Sequence, residues 1–409
     1  MKGSALSAQR TEAWGFAAVA VLVFGAATAV AQTQTPRMAL PERLSDQEYW
    51  SLINELSEPP GYFRSENLLS NERGYQYVIP SLARPSRHGQ VYVGVGPEQN
   101  FTYIAALRPK MVFIIDIRRG NLLEHLLYKA LFEISADRAE FFSRLFSKPR
   151  PRGLDSTTTA DSLINAFWYS VETDSALYRK HVADVRAHLT EKRGFAMSPA
   201  DVNGLLWVYD HFYFGGPAIT YNYSISGGGG GGRGGGSMPN YGDLMLAQDG
   251  TGQNRAFLAT EANWRVIKDL HLKNLIVPVV GDFGGPKAVR AVARYIKDRG
   301  GIVSAYYCSN VEQYLFQDGK AWSFYESVAE MPVDSNSVFI RSQGGGRGGF
   351  GGASGMSAPN LMFSIQQLVS AHKAGRINYY SDIFNLPRIS SPSPLLFLPP
   401  SPSLFAPHP

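Results

Sequence analysis

Cysteine is almost absent: Cys308 is the single one among 409 residues. No intrachain disulfide can form, and cysteine-rich zinc and iron–sulfur sites are excluded. The chain also lacks an H-E-x-x-H pair, a G-x-S-x-G elbow and a Walker loop. Metalloprotease, α/β-hydrolase and P-loop NTPase chemistry therefore has no motif to rest on. Charge of one sign is in small excess, with Lys plus Arg at 39 against Asp plus Glu at 34 and a formal net charge of +5. The excess is spread thinly and gives no argument for a nucleic-acid partner. Beyond residue 31 no stretch is long and apolar enough to span a membrane. What is present is 44% hydrophobic and 12% aromatic. That mixture excludes a wholly disordered, collagen-like or coiled-coil protein.

The start reads as an export signal. Lys2 and Arg10 precede an uncharged stretch, 14–31, which ends in Ala29-Val30-Ala31 before Gln32. A positive start, an apolar core and an A-x-A site make a secretory signal peptide over 1–31. The expected location is the periplasm or cell envelope. The alternative is an uncleaved anchor: about 18 residues is the lower limit for a span, and this stretch is Ala- and Gly-rich, hence weakly hydrophobic. Residues 32–44 form a polar linker with Pro36 and Pro41. Ser45 with Glu48 three residues on is a capping-box pattern opening a helix.

The rest alternates between strand and helix patterns. Residues 91–96 (VYVGVG) read as a buried strand ending in a glycine turn, 100–107 as a helix, and 111–117 (MVFIIDI) as a second buried strand. Residues 122–146 read as one long amphipathic helix. An α-helical insertion is expected over 150–215. Glycine tracts at 227–236 and 344–352 are expected to be flexible loops. Strands are expected at 275–281, 302–307 and 337–341, with 243–247 a weaker one, and helices at 261–273, 286–299, 311–316, 322–329 and 361–373. This pattern predicts one α/β domain over 45–385, a doubly wound, mostly parallel Rossmann-like sheet. Residues 390–409 hold seven prolines, so 386–409 read as a disordered tail.

In such sheets ligands bind beyond the carboxyl ends of the strands. That rule selects Gly94, Gly96, Pro97, Glu98 and Asn100 after the first strand, Asp116 after the second, and Asp282 and Asn310 after later ones. A G-x-G turn lets backbone approach a ligand closely. Asp116, 20 residues after Gly96, is spaced to accept both hydroxyls of a ribose. A strand-end carboxylate is expected to add little to packing. The competing structural reading is a tightened turn and a capping aspartate. No metal spacing is present, so His125, His211 and His271 read as packing or surface histidines. Cys308 reads as an inert thiol.

The runs VYVGVGPEQN and MVFIIDIRR resemble the first two motifs of a class I S-adenosylmethionine-dependent methyltransferase. Residues 41–385 resemble a bacterial exported family with such a domain, through VGVGPEQNFTYIAALRPKMVFIIDIRR, YKALFEISADRAEF, NLIVPVVGDFGGPKAVRAV and SAYYCSNVEQYLF. The resemblance implies S-adenosylmethionine as cofactor. Gly94 and Gly96 would lie under its methionine part and Asp116 on its ribose. Asp282, at the end of the fourth strand, would face the substrate, and Asp282 or Asn310 would orient the acceptor. Two positions depart from the family pattern: Tyr92 stands where an acidic residue is usual, and Glu98 where a third glycine is. Export is a further tension, because S-adenosylmethionine is made in the cytoplasm. Two functions follow. One is an exported protein binding a small adenosine-type ligand, with methyl transfer as its reaction. The other is a non-catalytic envelope binding or scaffold protein that kept the fold and lost the cofactor. The partners implied are a small-molecule ligand and, through the N-terminal segment, the membrane or envelope.

Overall fold

In the computed structural model the described residues are 38–169, 172–221, 223, 238–342 and 359–389. The expected signal peptide, both glycine tracts and residues 390–409 lie outside them. Six strands form one sheet: β1 (Val91–Gly94), β2 (Met111–Asp116), β3 (Ile276–Val280), β4 (Val303–Ser309), β5 (Val338–Arg341) and β6 (Leu361–Ser364). Their order is β3-β2-β1-β4-β5-β6. The first five run parallel and β6 pairs antiparallel to β5. The protein is thus an α/β protein with a mostly parallel sheet. All residues of β1, β2, β3 and β5 are buried, which is why they read as unbroken apolar runs rather than alternating ones. The strand order reverses between β1 and β4, and the carboxyl ends diverge there.

Helices cover the sheet. The Ser45 capping box forms, with Glu48 N–H on Ser45 Oγ at 3.2 Å and Ser45 N–H on Glu48 Oε2 at 2.8 Å, and it opens the helix Asp46–Leu56. That helix packs on β3 and against the helix Ala288–Asp298. A second group joins Gln99–Leu107, Arg119–Ile134 and Glu261–Leu272. Its centre is aromatic: the Phe101 ring lies 5.1 Å from Tyr128 and 5.4 Å from both Phe132 and Phe257. The described residues of 160–218 carry helices and no strand, chiefly Ala160–Tyr169, Ser175–Ala187 and Pro199–Gly215.

Several boundaries differ from the sequence reading. The long helix over 122–146 is two, Arg119–Ile134 and Arg138–Phe146, because Asp137 caps the second through Glu140 N–H. Residues 241–246 are a helix and not a strand. Asn240 and Asp243 form a capping box there, which turns the apolar residues Tyr241, Leu244 and Met245 inward at helical spacing. The helix expected from 361 begins at Ile365. Its first four residues pair with β5 instead, and Ser364 caps the helix through Gln367 N–H. Residues 386–389, expected in the disordered tail, are instead held in place: Ile389 N–H donates to the Met362 carbonyl at 2.8 Å, and Arg388 bridges Phe363 beside β6.

Candidate functional site

After the helix Asp46–Leu56 the chain runs across the carboxyl ends of the strands. Glu58 N–H bonds Val280 O of β3 at 2.8 Å, and Gly61 N–H bonds Ile117 O just beyond β2 at 2.9 Å. A Cβ at Gly61 would meet Ile117 at 2.6 Å, so only glycine passes there without a shift. Residues 62–72 then roof a cleft of about 520 Å³ whose floor includes Gly96, Pro97 and Asp116. The cleft lies at the reversal of strand order, where the topology predicts a ligand.

The glycine turn is held from behind. Asn100 is fully buried. Its amide donates toward the carbonyls of Val95 (2.9 Å), Gly96 (3.2 Å) and Pro97 (2.7 Å), and its Oδ1 accepts the Tyr92 hydroxyl at 2.8 Å. A Cβ at Gly94 would stand 1.9 Å from that Oδ1. Gly94 and Asn100 are therefore parts of the turn's support, and neither lines the cleft. Tyr92, the departure from the methyltransferase pattern, is the other half of that support. Gly96 differs: its φ is +76° and no atom lies within 4 Å of a Cβ built there. Its backbone borders open space, as a surface for close ligand approach requires.

Glu98 is buried and does not line the cleft. Its Oε1 accepts Ser70 N–H at 3.4 Å and its Oε2 has no partner. Burial pushes its carboxyl up to about 8. Behind it Glu124 has neither oxygen partnered, and burial and then the Glu98 charge push it well above the usual carboxylate range. His125 Nε2 donates to the Gly96 carbonyl at 2.9 Å, while burial lowers its imidazole to about 4 and keeps it neutral. His125 and His271 are both buried among the aromatic rings.

Asp116 lines the cleft but is engaged. Arg118 N–H (2.9 Å) and Nε (3.0 Å) donate to its Oδ1, and Arg118 Nη2 donates to its Oδ2 at 2.9 Å. Oδ1 is saturated, and Oδ2 keeps one acceptor site. Asp282 also lines the cleft. It follows β3, an edge strand, and not the fourth strand, and its Oδ2 accepts Lys320 Nζ at 2.6 Å. The fourth strand ends instead at Ser309, with Asn310 next, and both face the cleft.

Sequence reasoning missed Glu72 and the aromatic wall. Glu72 Oε2 accepts Asn360 Nδ2 at 2.7 Å and Gln99 Nε2 at 2.9 Å, and its Oε1 accepts the Ser309 hydroxyl. Ser309 holds a left-handed φ of 51°, costly for a non-glycine residue, at a bulge between β4 and β5. Arg64 donates to the Tyr314 hydroxyl at 2.9 Å and lies over that ring at 5.3 Å, with Phe63 edge-on at 5.2 Å. Glu72 and Arg64 sit in an irregular segment, where no periodicity marks them. Cys308 is buried, and burial followed by the Glu312 charge pushes its thiol well up, consistent with an inert side chain. Among the described residues no group of three or more His, Cys, Asp or Glu could hold a metal, and no helix is long and apolar enough to cross a membrane.

No curated protein matches the chain. One family model matches residues 68–206 and 236–373, more than half of the sequence and all of the cleft floor. The chain belongs to that family, described as a domain of unknown function (DUF7790).

Proposed function

We propose that the protein binds a small ligand of adenosine type in the cleft, with methyl transfer as the reaction that the sequence resemblance suggests. One observation carries this reading: a cleft of about 520 Å³ opens over Gly96 and Asp116 at the point where strand order reverses. The order itself is the Rossmann order with the last strand turned antiparallel. The volume suits a ligand of nucleoside size. The residues accommodate S-adenosylmethionine in part. Gly96 leaves its backbone open for the amino-acid end, and the remaining acceptor site on Asp116 Oδ2 is available to one ribose hydroxyl. When bound, that cofactor supplies an electrophilic methyl group. The chain's own contribution would be positional, with Asn310 and Asp282 on the facing wall.

A second reading has its own support. Arg118 occupies three of the four acceptor sites of the Asp116 carboxylate. An exported protein that kept the fold without the cofactor would show such a pair. Calorimetric titration with S-adenosylhomocysteine separates the two. Binding in the micromolar range supports the first reading. Absence of heat and of any thermal shift at millimolar ligand removes it and leaves a binding or scaffold role.

A further inference from the structure

We infer that the ligand of this cleft carries a cationic amine, and that Glu72 is its anchor. The inference rests on the cleft being a ligand site, and not on the ligand being a nucleoside. Three cations and four carboxylates line the cleft. Arg118 is spent on Asp116 and Lys320 on Asp282. Arg64 stacks on Tyr314. Asp318 stands exposed at the rim. Glu72 remains, part-buried, and among the described residues no Lys, Arg or His forms an ion pair with it.

Its carboxylate is nonetheless fixed in place. Two amide groups, from Gln99 and Asn360, fill the acceptor sites of Oε2. They are fixed in turn by the Tyr103 hydroxyl, at 3.2 Å and 3.0 Å, which itself donates to the Tyr75 carbonyl at 3.0 Å. Ser309 takes one site on Oε1, from a backbone conformation that a non-glycine residue adopts only under constraint. The Tyr307 hydroxyl, beside Ser309, also bonds to this carboxylate. All the donors are neutral, so a negative charge stands in the cleft wall without a counter-charge. Such a charge is stabilised by an arriving cation. Tyr307, Tyr314 and Phe63 share the wall and supply apolar surface for the carbon skeleton of such a ligand.

The test compares two probes of one shape, phenethylamine and 2-phenylethanol, by titration calorimetry and thermal shift on the chain from residue 32. The amine is expected to bind about tenfold more tightly than the alcohol, the factor for one charge-assisted contact. Glu72→Gln should erase the difference while leaving alcohol binding unchanged, with circular dichroism confirming the fold. Equal binding of both probes by the unaltered chain, failure of the amine to bind, or an amine preference that survives Glu72→Gln overturns the inference. S-adenosylhomocysteine titrated in parallel keeps the two proposals apart. Nucleoside binding without an amine preference defeats the Glu72 anchor alone, and the converse defeats the adenosine reading alone.

Discussion

The Arg118 guanidinium grips the Asp116 carboxylate from the side, Nε on Oδ1 at 3.0 Å and Nη2 on Oδ2 at 2.9 Å, with both side chains 7% exposed. A bidentate pair of this kind is geometrically strong. Breaking it from one side leaves a charge in a place built for two. Asp116→Ala is therefore expected to destabilise the fold by about 3 kcal/mol, contrary to the small effect expected of a strand-end carboxylate. The double variant Asp116→Ala, Arg118→Ala should recover at least half of that loss. Urea unfolding followed by fluorescence measures both. Equal stability of the single variant and the parent would show that water reaches the pair freely.

The turn after β1 depends on a similar pairing. Gly94→Ala would place a methyl group 1.9 Å from Asn100 Oδ1 and 2.9 Å from the Tyr92 ring. Overpacking at a buried site costs about 1–3 kcal/mol. Asn100→Ala alone strands the Tyr92 hydroxyl and removes the amide from three carbonyls, a loss of about 1–3 kcal/mol. Together the two changes relieve the closer clash, that with Asn100, and leave only the Tyr92 ring edge to give way. The double variant is expected to be at least about 1 kcal/mol more stable than the sum of the singles predicts. Strict additivity in a double-mutant cycle would mean that Asn100 moves aside at little cost.

Much of this floor was legible beforehand. Buried parallel strands read as apolar runs, so residues 91–96 and 111–117 announced themselves, and the spacing of Gly96 and Asp116 placed both at the cleft. The capping box at Ser45 and Glu48 was equally plain. The misreadings have physical causes. Leu361–Ser364 is a short apolar run, which periodicity cannot assign to helix or strand, and its pairing with β5 decides. Asp137 carried a cap signal inside a continuous amphipathic pattern, and the pattern masked it. Glu72 lies in a segment without regular structure, and its partners Asn360 and Ser309 are more than 200 residues away in sequence. Arg118 was visible as a basic neighbour of Asp116, but only the turn after β2 brings it back onto that carboxylate.

Both ends of the chain give a direct check. The sequence predicts cleavage after Ala31, so N-terminal sequencing of protein from the envelope fraction should begin at Gln32. An intact Met1 in the membrane fraction would mean an anchor. At the other end, a chain ending at Ile389 should melt like the full one, because a proline-dense tail is expected to bury nothing. A chain ending at Asn385 loses the Ile389 bond to Met362 and the Arg388 bridge, and should melt several degrees lower. Equal melting of all three would show that residues 386–389 do not secure β6.

The buried acids behind the glycine turn set a pH dependence whose direction is fixed by burial. Glu98 is held protonated up to about 8 in the folded chain, against an ordinary value of 4.5. Between those values the folded chain keeps a proton that the unfolded chain has released, so stability falls as pH rises, by at most about 1.4 kcal/mol per unit. Glu124 is raised as well and acts in the same direction. His125 opposes them lower down: burial holds it neutral to about 4, whereas the unfolded imidazole takes a proton below its ordinary 6.5. Its contribution therefore rises with pH up to 6.5 and is flat above. From 6.5 to 8 the Glu98 effect meets no opposition from His125. Denaturation at those two pH values should find the parent chain less stable at the higher one. Glu98→Gln, which keeps an acceptor for Ser70 N–H and cannot ionise, should reduce that decline by up to about 2 kcal/mol. An unchanged decline would mean that Glu98 is already ionised in the fold. Its unpartnered Oε2 would then have to be solvated by water reaching the space behind the turn.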